Sequence, residues 1–418
     1  MEDGNARRPD TGYPESVHDL SRRALGAVLV ASVFVGGSQA CDGLKVAPPG
    51  KDAETPDASP SPGDGATGAS GDSSDDCTTP APNDPQNCGR CGHSCQGGAC
   101  EAGICQPLVL ATDRRSPVHL AVRGAFVYWV EQGTATNNGA DGRLGRASID
   151  PCDAGCVTDL LDAGQDFTGI AVNDEYAYVT QGRLSTGRVV RVPLDGKPLE
   201  VFAPNEPSAR RIALEADSAI WINAGAAPGE GLIRRRAFES VSDGGVTIGS
   251  GLDYPNAVAV RGSTVFVTAS GQLDFDGYIA KTDLTGESAD LVATDQAQPQ
   301  GIAVDSTWVY WANRGDGTLH RARWDGAQEA EIVTSAVAAN AIAVDTDGVY
   351  WTEAGSDPDH LDGRLRRASL DGTGAVTLAD GLAYPSAVTT DTKSVYVSVR
   401  GSAAAGFRDG MILKVAKP

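Results

Sequence analysis

Short apolar runs alternate with polar turns through the C-terminal part of the chain, and the pattern repeats. Each unit opens with an apolar run such as residues 300–305 and continues with an aromatic run such as residues 309–313. It closes with a Gly-x-Leu-x-Arg-Ala phrase such as residues 317–322, followed by Asp325-Gly326. Aromatic and β-branched runs of this length predict short strands, and Asp-Gly predicts tight hairpin turns.

The apolar run recurs seven times, every 40 to 50 residues, so each unit is long enough for four short strands. The final residues of the seven runs are Val122, Val172, Leu214, Val260, Val304, Val344 and Thr389. A repeat of this length, built from strands, predicts a β-propeller, in which four-stranded blades surround a central channel.

The two ends of the repeat region fit a closed ring. The seventh unit stops after its third strand, residues 411–415, whereas residues 107–112 match the fourth-strand phrase at residues 375–380. We expect the N-terminal strand to complete the seventh blade, because closure removes sheet edges that promote aggregation. The sequence therefore predicts an all-β, seven-bladed β-propeller over residues 106–418. An open stack, or a ring of six or eight blades, remains an alternative because residues 209–237 form the least regular unit.

The first 76 residues lie outside the repeats. A short apolar run follows Arg22-Arg23 and ends at Ala40-Cys41, so residues 1–40 are predicted to be an export signal peptide. Cleavage after Ala40 fits ordinary secretion, and cleavage with acylation of Cys41 fits a bacterial lipoprotein of the outer membrane or periplasm. Residues 41–76 are rich in Pro, Gly and Ser, which predicts a disordered linker.

Nine cysteines leave Cys41 as the natural odd one in an exported chain. The other eight are predicted to form disulfides, with connectivity left open: Cys77, Cys88, Cys91, Cys95, Cys100, Cys105, Cys152 and Cys156. Six of them lie in residues 77–105, where apolar residues are nearly absent, and this predicts a small module that needs cross-links to hold its shape. Zinc is the alternative, because Cys88-x-x-Cys91 has ligand spacing. Cys152 and Cys156 predict a staple in a blade-one turn.

The charge of the chain limits its partners. A net charge of −21 and a pI of about 4.6 argue against nucleic acid, because phosphates require clustered Lys or Arg. They argue equally against an anionic membrane surface as the partner of the folded ring. We expect a monomer that contacts the membrane only through its lipid anchor.

Two sets of polar positions are expected to crowd the mouth of the channel, one after the second strands and one before the first strands. The candidate ligand-binding residues are Glu131, Gln181, Asn223, Asn256, Asn313, Asn340 and Glu353. Converging polar groups over a shaped hole are a binding-site hypothesis. The alternative is that these side chains hydrogen-bond one another between blades. No catalytic residue is assigned, because the five histidines form no paired motif and no Gly-x-Ser-x-Gly elbow occurs.

Residues 309–311 and 349–353 resemble the YWTD repeats of lipoprotein-receptor-type propellers, and residues 302–305 resemble NHL-type propellers. The resemblance implies a module that binds a protein or peptide. With the export signal, we expect a non-catalytic binding or scaffold module of the cell envelope that acts through its channel-mouth face and needs no cofactor. Residues 77–105 resemble a Cys-Gly-rich module of secreted myxobacterial proteins, which implies a cell-surface or periplasmic setting. The alternative function is a metal-dependent hydrolase similar to gluconolactonase-type lactonases, with carboxylate and Asn ligands holding a cation such as Ca²⁺ at the channel mouth.

Overall fold

The computed structural model describes residues 82–134, 141–150, 156–164, 166–182, 186–240, 244–356 and 358–418. The predicted signal peptide, the linker, Cys41, Cys77 and Cys152 lie outside these ranges. Within them the chain is all-β, with 30 strands and no helix. Accordingly, no helix in the described ranges has the length and hydrophobicity needed to cross a membrane.

Seven four-stranded sheets make up the propeller, and one two-stranded sheet precedes it. The small sheet and the first three blades consist of β1 (Cys100–Glu101) and β2 (Ile104–Cys105); β4 (Pro117–Arg123), β5 (Phe126–Glu131), β6 (Gly142–Ser148) and β7 (Val157–Gly164); β8 (Phe167–Val172), β9 (Tyr176–Gln181), β10 (Arg188–Pro193) and β11 (Glu200–Ala203); β12 (Ala209–Glu215), β13 (Ser218–Asn223), β14 (Gly231–Ala237) and β15 (Val246–Leu252).

Blades four to seven follow the same order along the chain, except that blade seven takes its fourth strand from the N-terminal side. Their strands are β16 (Pro255–Arg261), β17 (Thr264–Ala269), β18 (Gly277–Asp283) and β19 (Ala289–Gln296); β20 (Pro299–Val304), β21 (Trp308–Asn313), β22 (Thr318–Arg323) and β23 (Ala330–Val333); β24 (Ala339–Val344), β25 (Val349–Glu353), β26 (Gly363–Ala368) and β27 (Val376–Leu382); β28 (Pro385–Thr390), β29 (Ser394–Val399), β30 (Gly410–Ala416) and β3 (Leu108–Arg114).

The ring closes as the sequence predicts. β3 pairs antiparallel with β30, and the first strands contact one another in a complete circle from β4 through β28 and back to β4. The prediction of seven blades is confirmed, and the least regular unit forms blade three. One detail is wrong: the last apolar run ends at Thr390 and not at Thr389. Thr390 pairs with Val395 just as Val304 pairs with Val309.

Large aromatic side chains of the second strands fill the space between blades. Successive residues of a strand point to opposite faces of the sheet, so Tyr and Trp of one Tyr-Trp pair pack against different neighbours. Trp351 of blade six, for example, lies in the same apolar cluster as Tyr310 of blade five. Trp129, Trp221, Trp311 and Trp351 are all 0% exposed. Replacing such a residue by Ala typically costs about 3–5 kcal/mol.

Basic residues of the third strands hold neighbouring blades together. The side chains of Arg191, Lys281, Arg321 and Lys414 each donate a hydrogen bond to a backbone carbonyl of the next blade, at distances of 2.8 to 3.3 Å. Lys414 contributes at the closure of the ring, where its Nζ lies 2.8 Å from the Ile149 carbonyl oxygen of blade one. The Arg of the repeated Leu-x-Arg-Ala phrase therefore has a structural role that the phrase alone did not reveal.

The Cys-rich module is held by disulfides. Cys88 pairs with Cys100 and Cys95 pairs with Cys105, and Cys91 and Cys156 are disulfide-bonded as well. The sulfur atoms of Cys88, Cys95 and Cys100 lie within 4.8 Å of one another, which resembles a metal site. Because all three are already in disulfides, they offer no thiolate, and the zinc alternative at Cys88-x-x-Cys91 is wrong.

The module also contacts the C-terminal end of the propeller. The ring of His93 hydrogen-bonds the Lys417 carbonyl oxygen through Nε2 at 2.9 Å, and Ala416 packs in the apolar cluster of the disulfides. Lys417 Nζ in turn contacts Asp345 Oδ2 of blade six at 2.6 Å. The two ends of the described chain are therefore fastened at the same edge of blade seven.

Candidate functional site

The end of the propeller where first strands begin and second strands end is called here the loop face. Adjacent strands are antiparallel, so this end carries the loops from second to third strands and the connections from each blade to the next. First strands line the channel that opens there. All seven candidate residues belong to strands at or near this end, but the structure gives them two different environments.

Five candidates lie inside the blades and not at the channel: Glu131, Gln181, Asn223, Asn313 and Glu353 are all buried at the ends of second strands. Glu131 Oε1 accepts the indole N–H of Trp129 at 2.9 Å, and Glu353 Oε1 accepts that of Trp351 at 3.1 Å. Residues two apart in a strand share a face, so this Glu meets the Trp that precedes it. The expectation that these five crowd the channel mouth is corrected, whereas a ligand-binding role remains a prediction without a test.

Arginines complete both Glu sites. Arg114, the last residue of the closing strand, lies 3.4 Å from Glu131 Oε1, and the backbone N–H of Arg115 donates to Glu131 Oε2 at 2.9 Å. Arg366 Nη1 lies 3.2 Å from Glu353 Oε1. Each carboxylate thus accepts an indole N–H and lies against a guanidinium group.

Blades three and five use a different acceptor for the same purpose. Glu206 precedes blade three and accepts from Trp221 Nε1 at 3.1 Å, Asn223 Nδ2 at 2.9 Å and the guanidinium of Arg234 at 3.0 and 3.1 Å. Gln296 plays this part in blade five, accepting from Trp311 at 2.8 Å and from Asn313 at 3.0 Å. The sequence interpretation missed Glu206 and Gln296, although each lies 15 positions before the Trp whose indole N–H it accepts.

Asn256 and Asn340 do reach the channel. Both line a small cavity on the ring axis, together with Gln300 and Ser386. Their amides also fasten blades: Asn256 Nδ2 donates to the Pro299 carbonyl at 3.0 Å, and Asn340 Nδ2 donates to the Ser386 carbonyl at 3.1 Å. The alternative reading, hydrogen bonding between blades, therefore describes part of what these two residues do.

Two long basic side chains enter the same cavity from blades one and three, namely His119 and Arg211. His119 Nδ1 accepts the Ile170 N–H at 3.1 Å. Burial lowers the pKa of His119 well below 6.5, and the charge of Arg211 acts in the same direction, so the imidazole is neutral with its proton on Nε2. Arg210 stands beside Arg211 and is exposed at the mouth.

The channel cavity is narrow and polar. Its volume is about 90 Å³, the space of about three water molecules in the liquid. Typical sites for drug-sized ligands are several times larger, at about 300–1,000 Å³. The channel can therefore take a small group and not a whole substrate of that size.

No protein-family model and no curated protein sequence matches the chain. Solved structures with a similar fold include a chain of a nidogen/laminin complex, with 22% identity, a TM-score of 0.42, and coverage of 52% of this chain and 84% of that one. A computationally designed protein, Ika8, gives 15%, 0.48, 74% and 98% for the same quantities. A putative TolB from Agrobacterium tumefaciens gives 16%, 0.43, 63% and 94%. The assignment as a propeller rests on the strand pairing of this chain.

Proposed function

We propose that the chain is an exported, envelope-anchored propeller that binds a protein or peptide through its loop face and performs no chemistry on it. The observation that carries this proposal is a group of exposed apolar side chains on blade four, the blade-four patch, formed by Tyr254, Leu273 and Phe275. They are 37%, 73% and 62% exposed. The loops that hold them are joined, because the backbone N–H of Ser270 donates to the Tyr254 carbonyl at 3.2 Å.

Exposed apolar groups of this kind are typical of contact surfaces. Val337 and Leu361 add exposed apolar groups in loops of the same face, at the entrance to blade six and within it. Other exposed apolar residues, such as Leu291 and Val376, lie on fourth strands, at the outer rim. Large side chains in loops have no role in sheet pairing, and this supports a role in binding.

The position of the Cys-rich module supports the same orientation. β30 runs from Gly410 at the loop face to Ala416 at the opposite end, and the module contacts Ala416 and Lys417. The chain therefore enters the propeller at the end remote from the blade-four patch.

The lactonase alternative requires carboxylates that converge on a cation. Glu131 and Glu353 instead belong to blades one and six. Glu131 is paired with Trp129 of its own blade and Arg114 of blade seven, and Glu353 with Trp351 and Arg366 of its own blade. Asn256 and Asn340 have oxygen atoms near the channel, but no carboxylate accompanies them among the residues that line the cavity. No observation favours a hydrolase, and we do not propose one.

A photo-crosslinking residue at position 273 tests the proposal, with the same residue at position 291 as the matched control on the outer rim of blade four. We expect a discrete envelope polypeptide to be cross-linked from position 273 and not from position 291. The double variant Leu273→Ser/Phe275→Ser should abolish capture of that polypeptide from a second crosslinking position, 361. Equal labelling from positions 273 and 291, or cross-links only between two copies of this chain, would overturn the proposal.

A further inference from the structure

Arg211 breaks the pattern of the first strands. The residues at the third position of these strands are small in five blades: Gly169, Ala257, Gly301, Ala341 and Ala387. Only blades one and three carry long side chains there, His119 and Arg211. Gly169 is required next to them, because a Cβ at this position would lie 2.5 Å from the Arg210 carbonyl oxygen. Gly301 meets the Asn340 carbonyl oxygen in the same way, at 2.7 Å, so the close approach belongs to the first-strand packing and not to the arginine side chains.

The guanidinium of Arg211 has unused donors. Its Nη1 donates to the Thr168 carbonyl, whereas Nε and Nη2 donate to no residue of the described ranges. Arg211 lies deep in the protein and keeps accessible surface where it lines the channel. Free guanidinium N–H groups therefore point into open space and not into packed protein.

The charges around Arg211 are repulsive. Burial and the guanidinium groups of Arg210 and Arg400 lower the pKa of Arg211 to about 10. Neither Arg210 nor Arg211 forms an ion pair with a carboxylate in the part of the chain that the structure describes. Acidic side chains are plentiful in the chain, with 55 Asp and Glu against 34 Lys and Arg, yet none of them is placed against these two arginines in the described ranges.

An unpaired cation in a narrow channel is destabilising. Taking a charge partly out of water without giving it a partner carries a free-energy penalty. An anion in the cavity would remove this penalty, since it would supply the missing charge and accept the free N–H groups. Other donors surround the same space: the Nε2–H of His119 and the side-chain amide of Gln300 both line the cavity.

We infer that the channel binds a small monovalent anion, with a carboxylate group seated on Arg211 and hydrogen-bonded by His119 and Gln300. Arg210 stands outside the cavity, where its Nη1 donates to Asn256 Oδ1 at 3.3 Å, and adds positive charge at the mouth. A planar guanidinium matches a carboxylate with two parallel hydrogen bonds. A cavity of about 90 Å³ admits an acid the size of acetate and excludes bulky anions. This site shares no residue with the blade-four patch, so the test of anion binding is independent of the test for a protein partner.

Acetate is the probe, and 2-(N-morpholino)ethanesulfonate at equal ionic strength is the bulky reference anion. We expect sodium acetate to raise the Tm of the full chain in proportion to the logarithm of its concentration, as a ligand of the native state does. Arg211→Gln should weaken the acetate response at least tenfold, and Arg210→Gln should weaken it by a smaller factor. Arg261→Gln is the control, since Arg261 is exposed at the opposite end of a first strand.

A second outcome separates binding from a structural role. In the bulky anion, Arg211→Gln should melt at or above the Tm of the parent chain, because it removes an unpaired cation; a marked loss of stability there would contradict the inference. Should Arg211→Gln not fold, acetate binding is followed instead by the ¹³C line width of acetate. We expect the line to broaden with the parent chain and to broaden less with Arg210→Gln. An acetate signal unaffected by the parent chain, or a response to chloride as large as that to acetate, would overturn the carboxylate site.

Discussion

The carboxylate of Glu206 is expected to be one of the most important polar groups for the stability of the ring. It is buried and accepts four hydrogen bonds, from Trp221, Asn223 and two nitrogens of Arg234. Glu206→Ala would leave the indole and amide N–H groups without acceptors, at about 1–3 kcal/mol each. It would also unpair Arg234, although Arg234 keeps a hydrogen bond to the Gly245 carbonyl at 2.6 Å. We expect a total loss of about 4 kcal/mol, since such terms are not additive.

Blade five provides an internal reference for the size of this effect. There Gln296 replaces the Glu, and His320 stands opposite Trp311 where Arg234 stands opposite Trp221. The His320 ring stacks on Trp311 with centroids 5.5 Å apart. Glu206→Gln should therefore cost only about 1–2 kcal/mol, because one amide oxygen still serves the Trp and Asn donors. The double variant Glu206→Gln/Arg234→His should recover most of that loss.

Thermal unfolding followed by circular dichroism measures these differences. With about 2 °C of Tm per kcal/mol for a domain of this size, Glu206→Ala should lower Tm by about 8 °C and Glu206→Gln by about 2–4 °C. Glu175→Ala removes an exposed carboxylate from blade two and should change Tm by less than about 1 °C. A Glu206→Ala shift below about 2 °C, or a Gln variant as unstable as the Ala variant, would refute the reasoning.

Three further predictions concern other parts of the molecule. Because burial holds the pKa of His119 below that of the unfolded chain, the unfolded state binds more protons below pH 6.5, so stability should fall by up to about 1.4 kcal/mol per pH unit as pH drops from there. His119→Gln should lack this part of the slope in urea titrations, and an unchanged slope would contradict the assignment. Removing the Cys95–Cys105 disulfide with a double Ala variant should cost the module about 3 kcal/mol and expose residues 82–105 to limited proteolysis, while equal resistance would show that the disulfide adds little. A chain that begins at residue 115 should associate through the open edge of β30, whereas one that begins at residue 82 should stay monomeric by light scattering.

The fold could be predicted in detail because its evidence is local and repeated. A Tyr-Trp run, an Ala-Val run and an Asp-Gly turn each have a direct conformational reason, and seven copies reinforce one another. Closure of the ring could also be predicted, because the fourth-strand phrase missing from the seventh unit is present at residues 107–112. The strands, the turns and the closing strand can all be predicted from residues close together in the sequence and from the two-residue period of a strand.

The environment of the candidate site residues was harder to predict. Glu131 and Glu353 were placed at the correct ends of their strands, but which way they face depends on the Trp two positions earlier, and this period-two signal was available in the sequence. The roles of Glu206 and Gln296 depend on a connection folding back over a strand. Arg211 was not singled out in the sequence beyond lying in the least regular unit, because the absence of acidic partners is a property of the assembled channel.

The pairing of β3 with β30 has a consequence for the order in which the protein is made. Roughly 300 residues separate the two strands, so at 5–20 residues per second the first waits about 15–60 s before the ribosome supplies its partner. The disulfides of the neighbouring module close loops of only 10 or 12 residues, so their pairing partners do not depend on later blades. Thr112, Asp113 and Arg114 meanwhile keep the waiting segment hydrophilic. The edge of β3 is thus open to pairing between copies until the last blade is made, and its pairing with β30 ends that exposure.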